Sequence, residues 1–400
     1  MKQKYVVLRG LRSTRARSSG SGGPGSGPAG AAVAPLPRIE YQIDELDARE
    51  ARDVERSSGV LAVAPAMPMR LITPIGRPQD VTATPAAATA TWGVKAVRAD
   101  TSPFTGAGIA VAVLDTGIDA AHAAFAGVTL VEKDFTGQGN GDQHGHGTHC
   151  AGTIFGRDVQ NTRIGVAPGV SRAFIGKVLG TNGGASDEIV NAIQWAVDQG
   201  AQVISMSLGM DFPGFVKTLV NDQGLSIEVA TTVALEGYRQ NVTLFERLSG
   251  LVTAIGPFGQ PALIVAAAGN ESGRAETPPF EIACAPPAVS EGLVSVAALG
   301  QVGSLLDVAP FSNTNAIVAG PGVGVTSAKR GGGLVSMSGT SMATPHVAGI
   351  AVLWAQKIMS DGPLRSTEWL ARLIASGTRT GLKPGIDPND IGSGLVQAPQ

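Results

Sequence analysis

The chain has 400 residues, of which 43% are hydrophobic and 16% charged, so it can bury a large core and is too apolar to stay disordered. A formal charge of −2 gives no reason to expect nucleic acid or an anionic membrane as partner, and two cysteines (Cys150 and Cys284) exclude a disulfide framework and are expected as reduced thiols. No segment approaches the about 20 continuous apolar residues of a membrane span, and the amino terminus holds only a short apolar run, below the about 7–15 residues of a secretory signal. A cytoplasmic location is therefore expected.

Residues 1–76 carry short β-like runs at Tyr5 to Leu8, Val60 to Ala64 and Met69 to Ile72, with a polar, helix-permissive stretch from Asp44 to Arg56. Between them, Ser18 to Gly30 is rich in Gly, Ser and Pro and is expected to be a flexible loop. Residues 77–91 have the composition of a linker, and from Trp92 to the end (92–400) apolar strands alternate with helical stretches. Gly108 to Leu114, Ala201 to Ser205 and Ala262 to Ala268 are continuous apolar runs, as expected of strands covered on both faces. A helix is predicted from Asp187 to Gln199, and the alternation implies an α/β fold with a mostly parallel sheet between helices.

Three motifs carry chemistry. Asp115 follows the first of these strands, at the carboxyl end where open α/β sheets bind ligands, although taken alone an aspartate there reads better as a turn or cap residue. His146 opens the run His146-Gly147-Thr148-His149-Cys150-Ala151-Gly152-Thr153, whose small residues let a helix pack tightly behind it. The local cluster His144, His146, His149 and Cys150 admits a metal site as a rival, without a second ligand cluster to complete it. Ser341, in Gly339-Thr340-Ser341-Met342-Ala343-Thr344-Pro345-His346, is predicted at the start of a buried helix through about Lys357, with Pro345 expected in its first turn, where it would remove no hydrogen bond. Asn270 stands just beyond an apolar strand, in Leu263-Ile264-Val265-Ala266-Ala267-Ala268-Gly269-Asn270.

Taken together, Asp115, His146 and Ser341 in this chain order, with Asn270 before the serine, resemble the subtilisin-like serine protease family. The resemblance runs from about Trp92 to the end, Cys150 after His149 is similar to the proteinase-K-like variant, and Asp387 to Val396 resembles the close of that domain. It implies a three-layer subtilisin-like domain and a serine endopeptidase with Ser341 as nucleophile, His146 as base, Asp115 as its orienting carboxylate and Asn270 as oxyanion donor. It further implies two peptide-binding edges, Gly183-Gly184-Ala185 and Ser207-Leu208-Gly209, with Ala267, Ala268 and Gly269 beside the primary specificity pocket. Residues 1–76 resemble an inhibitory propeptide that assists folding, so an active chain is expected to cut itself between about Ile72 and Trp92; an accessory domain that is never removed is the rival.

The implied partners are a peptide or protein substrate and the chain's own N-terminal region, and a monomer is expected. By family analogy, secretion is the runner-up location. No cofactor is implied for the chemistry. The resemblance also implies structural calcium at positions the sequence does not place; the family's strong site falls on Ala124 and Val159, flanked by Arg157 and Arg163, and is expected to be empty because a hard cation needs several oxygen ligands. Between Gly209 and Leu263 the chain departs from the family by an insertion, 210–262, with a long helix-compatible stretch from Leu225 to Val252 that either reshapes the primary pocket or packs outside it. A rate that falls as His146 protonates near its ordinary value of about 6.5 is expected, and a catalytically silent peptide-binding fold is the alternative from another class.

Overall fold

The computed structural model describes residues 2–12, 37–81, 89–258 and 260–400; the Ser18 to Gly30 loop lies outside them. The N-terminal region is a three-stranded antiparallel sheet, β1 (Gln3–Arg12), β2 (Arg38–Leu46) and β3 (Ala62–Pro65), in the order β2-β1-β3, with helix α1 (Ala48–Glu55) between the last two strands. Helix α1 starts where it does because Asp47 and Glu50 form a reciprocal capping box: Asp47 Oδ1 accepts from the Glu50 amide at 2.9 Å and Glu50 Oε2 from the Asp47 amide at 2.8 Å. Alternation along β1 then divides its side chains between two cores. Tyr5 and Val7 pack with Ala51 and Val63 under α1, while Val6 and Leu8 join the main core of the large domain. The small sheet is thus bound to the rest of the protein through one whole face.

The chain continues through β4 (Pro68–Leu71) and β5 (Gln79–Val81) to β6 (Thr89–Ala90) and α2 (Trp92–Ala96). The linker composition of 77–91 is therefore only part of the story, because β5 and β6 are both strands added to the large domain.

That domain is built from β7 (Ala110–Asp115), β8 (Thr129–Asp134), α3 (His146–Phe155), β9 (Thr162–Arg163), β10 (Arg172–Lys177), β11 (Gly184–Ala185), α4 (Ser186–Asp198), β12 (Val203–Met206) and β13 (Leu208–Met210). Helices α5 (Phe212–Asn221) and α6 (Ile227–Ile255) follow, then β14 (Leu263–Ala267), β15 (Val294–Val302), β16 (Leu305–Val308), β17 (Val318–Pro321), β18 (Val325–Ala328) and β19 (Leu334–Met337). Helices α7 (Thr340–Asp361), α8 (Ser366–Ala375) and α9 (Pro388–Ile391) complete it.

The central sheet runs β16-β15-β14-β12-β7-β10-β8, with β17 also pairing β15; every pair is parallel except β15 with β16. Its strands read as unbroken apolar runs because helices cover both faces. Buried α7 packs against β12, β14, β15 and β17, and α4 against β7 and β10. This is the expected three-layer α/β architecture. Asp115 is the last residue of β7 and lies opposite Lys177 at the end of β10, so the register carries both to the carboxyl edge of the sheet.

The insertion 210–262 forms α5 and the 29-residue α6. Helix α6 packs against β1, β2 and β3 of the N-terminal sheet.

Candidate active site

His146 is the first residue of α3. The helix begins there because Gly145 adopts a left-handed φ of +100° and Asp142 supplies the cap. Asp142 accepts from the Gly145 amide at 2.7 Å, the Thr148 amide at 2.9 Å, and the Thr116 and Thr148 hydroxyls at 2.9 and 2.7 Å. Burial alone would raise its pKa, but these donors outweigh it and hold the carboxyl below its ordinary range. The close approach of α3 to β7 also needs Gly147, since a Cβ there would fall 2.2 Å from the Gly117 carbonyl oxygen.

His146 Nδ1–H donates to Asp115 Oδ1 at 2.8 Å, and both side chains are buried. Burial penalises the imidazolium, yet the Asp115 charge overcomes this and raises the His146 pKa well above its ordinary value. The opposite ring nitrogen, Nε2, is buried without a hydrogen-bond partner. The His144/His146/His149 cluster does not gather: His149 turns Nε2–H to the carbonyls of Val325 and Val335, 3.0 and 3.2 Å away. Among the described residues the only close group of possible metal ligands is Asp115, His146 and Cys150. It suits a cation poorly, because His146 Nδ1 already faces Asp115 and burial raises the Cys150 pKa, keeping the thiol protonated.

Ser341 is the second residue of α7, near the positive end of a 22-residue helix. Pro345 is not in the first turn, contrary to the expectation from sequence. It is the sixth helical residue, and having no N–H it leaves the carbonyl four residues back, that of Ser341, without its helical donor. Two side chains replace it: Ser207 Oγ–H at 3.2 Å and Cys150 Sγ–H at 3.4 Å. Ser207 is thus tied to the serine backbone, and Cys150 also lies 3.8 Å from His146 Nδ1. The Ser341 hydroxyl points elsewhere and donates to the Ile72 carbonyl at 3.1 Å.

Asn270 Oδ1 accepts from the amide and hydroxyl of Thr340 at 2.8 and 2.9 Å, which fixes the side chain so that Nδ2 faces outward and donates to the Thr73 carbonyl at 2.9 Å. Gly269, with φ +115°, lies on Asn313, whose buried amide bonds the Ala268 carbonyl and the Glu271 and Ser272 amides. Ala267 and Ala268 are buried beneath.

The two predicted edges flank a third strand from the chain itself. β4 pairs antiparallel with β11 (Gly184↔Met69, Ala185↔Pro68) and with β13 (Leu208↔Leu71, Gly209↔Arg70). Gly183 permits this approach, because a Cβ there would be 2.5 Å from the Met69 carbonyl oxygen. The Ile72 side chain rests on Gly209, 3.5 Å from where a Cβ would be. Beyond the cleft the Ile75 amide donates to Ser338 O at 2.7 Å, and β5 extends the β18–β19 hairpin.

At the family's calcium position the residues do not fit a cation. Ala124 and Val159 bring no side-chain oxygen, and the Arg157 guanidinium already donates to the carbonyls of Phe155, Pro168 and Val170. Sequence reasoning missed Asp142, Thr340 and Asn313. Of these only Asp142 had a local signal, an acidic residue just ahead of a helix start.

Residues 106–394 match the family described as the Subtilase family. Subtilisin DY of Bacillus licheniformis is 34% identical over 78% of this chain and 97% of its own length. An intracellular serine protease of Paenibacillus polymyxa is 32% identical over 72% of this chain and 79% of its own. The crystal structure of a cold adapted subtilisin-like serine proteinase superimposes with a TM-score of 0.55 at 26% identity, over 78% of this chain and 99% of that one. Among the described residues no helix is long and apolar enough to cross a membrane. A match over residues 106–394, on a site with Asp115, His146, Asn270 and Ser341 at one edge of the sheet, makes this chain a member of the subtilase family of serine endopeptidases.

Proposed function

We propose that the chain hydrolyses extended polypeptides through Ser341, His146 and Asp115, and that its first substrate is its own N-terminal region, cut between Ile72 and Thr73. One observation carries this reading: residues 68–71 already lie as a strand between the two edges, leading the Ile72 carbonyl to the Ser341 hydroxyl. The register agrees, because continuing it past Leu208↔Leu71 sets Ile72 opposite Ser207 with its side chain on Gly209. The next bond, Thr73–Pro74, is a poorer candidate, since its leaving nitrogen belongs to a proline ring.

In the reaction Ser341 Oγ attacks the carbonyl carbon while His146 Nε2 takes its proton, then returns it to the departing amine. Asp115 holds the imidazole with Nε2 free and stabilises the imidazolium. Asn270 Nδ2 and the Ser341 amide hold the oxyanion, and water later releases the acyl group from Ser341 by the same route. Gly183, Gly184 and Ala185 on one side, and Ser207, Leu208 and Gly209 on the other, bind substrate backbone; Ala267, Ala268 and Gly269 wall the primary pocket. Residues 1–76 act as intramolecular inhibitor, supported by the buried face they share with the large domain.

The closed state is inhibitory because its contacts are offset by one residue. Ser341 holds the Ile72 carbonyl oxygen while Asn270 holds that of Thr73, and His146 Nε2 bonds neither. Attack requires the Ile72 oxygen to move onto Asn270. Labelling by phenylmethylsulfonyl fluoride tests the assignment: one adduct on Ser341 is expected in the processed protein and none after Ser341→Ala. Full labelling of that variant would contradict it.

A further inference from the structure

Helix α6 meets the cleft-bound segment upstream of the two edge strands. Counting back from the Ile72–Thr73 bond, Met67 is the sixth residue and Pro65 the eighth. Met67 is wholly buried and pairs with Ser186 in both directions: its amide donates to Ser186 Oγ at 3.0 Å, and its carbonyl accepts from the Ser186 amide at 2.9 Å. Its thioether lies over Gly237 of α6, where a Cβ would fall 2.9 Å from Met67 Sδ and 3.2 Å from Pro65 Cγ. One turn on, buried Asn241 donates Nδ2 to the Pro65 carbonyl at 2.9 Å and to the Gly237 carbonyl at 3.0 Å, while its Oδ1 has no partner. A buried asparagine with half its capacity unused is a poor choice for packing alone. A bare glycine beneath an unbranched, adaptable side chain makes a slot that the side chain fills.

We propose that α6 and Ser186 form a distal subsite that binds extended polypeptide six to eight residues ahead of the cleaved bond. Gly237 and Ser186 take an unbranched apolar side chain at the sixth position, and Asn241 takes the backbone carbonyl at the eighth. This rests on the serine-endopeptidase reading of the cleft given above. The same surface that holds the N-terminal segment then selects long substrates over short ones once that segment has been cut.

Two chromogenic amides test it, one on Met-Arg-Leu-Ile and one on Pro-Ala-Met-Pro-Met-Arg-Leu-Ile, with the full chain after self-processing. The longer peptide is expected to have about tenfold higher kcat/KM, and Gly237→Leu or Asn241→Ala should bring the ratio near one. The ratio does not depend on how much of each variant folds. A ratio near one in the unaltered protein, or one undiminished in both variants, overturns the proposal. If neither peptide is cleaved, the endopeptidase reading fails on its own, and the subsite is judged by hydrogen exchange in the intact Ser341→Ala chain. Faster exchange of the Met67 amide on adding Gly237→Leu then supports the subsite, and unchanged exchange overturns it.

Discussion

The hydroxyl of Ser341 donates to the carbonyl of Ile72 at 3.1 Å and not to the imidazole of His146. The hydroxyl of the proposed nucleophile is thus engaged by the chain's own strand, while Nε2 of the proposed base, His146, is buried and unbonded. Under the proposed mechanism their engagement needs a shift of that strand, and self-processing is expected to precede activity on other substrates.

The pH profile follows from the Asp115–His146 pair. The His146 pKa is raised well above its ordinary value, against burial, chiefly by the Asp115 charge. The base works only when neutral, so kcat/KM should rise with pH to a midpoint more alkaline than the about 6.5 of an unperturbed histidine. Asp115→Asn should move that midpoint down and lower kcat by about 10⁴-fold. Initial rates from pH 5 to 10 on both proteins check this; a common midpoint would contradict it.

The Ser341 carbonyl gives a second prediction. Pro345 denies it a helical donor, and Ser207 and Cys150 supply hydrogen bonds at 3.2 and 3.4 Å. Ser207→Ala should lower kcat/KM by about tenfold through loosened backbone at the nucleophile. In a Pro345→Ala background, which restores an N–H to that carbonyl, the same change should cost less. Equal losses in both backgrounds of the double-mutant cycle would refute this role.

Acid stability depends on two other imidazoles. Burial pushes His149 down to about 3 and His346 to about 4, so both are neutral in the fold. When the chain unfolds below about 6.5 each takes up a proton, so their contribution is complete above that pH and is lost as pH falls towards the folded values. Each should contribute a slope of about 1.4 kcal/mol per pH unit between roughly pH 6 and 4. Urea unfolding of Ser341→Ala at several pH values measures it, and His149→Asn should reduce the slope by about one proton's worth.

Arg157 supports a fourth prediction. Its guanidinium serves the carbonyls of Phe155, Pro168 and Val170, and its backbone amide donates to Ala124 O at 2.7 Å. Arg157→Ala should destabilise the protein by about 1–3 kcal/mol, since it strands those acceptors, and lysine should restore only part because it lacks the planar fork. Thermal unfolding of the three proteins gives the order; a fully restored lysine variant would contradict the account.

Much of this architecture was legible in the sequence. Strands around Val111, Ile204 and Val265 declared themselves as continuous apolar runs, which only doubly covered strands need, and the resemblance of three motifs to a known family, in its chain order, linked Asp115, His146, Asn270 and Ser341. What stayed hidden was long-range. Nothing local to Asn241 or Gly237 marks them as facing Pro65 and Met67, because that contact joins segments 176 residues apart. Pro345 was misplaced for a simpler reason: the first helical residue is Thr340, and a proline's consequence depends on which carbonyl it leaves unpaired. The strands at Gln79–Val81 and Thr89–Ala90 hid in a linker-like composition, since their pairing comes from partners at β19 and β9.

The most direct test is the intact mass of the purified full chain with time. The unaltered protein should yield one fragment ending at Ile72 and one beginning at Thr73, while Ser341→Ala should stay whole under the same conditions. A cut at that bond in Ser341→Ala, or an unaltered chain that never cuts, would contradict the central claim.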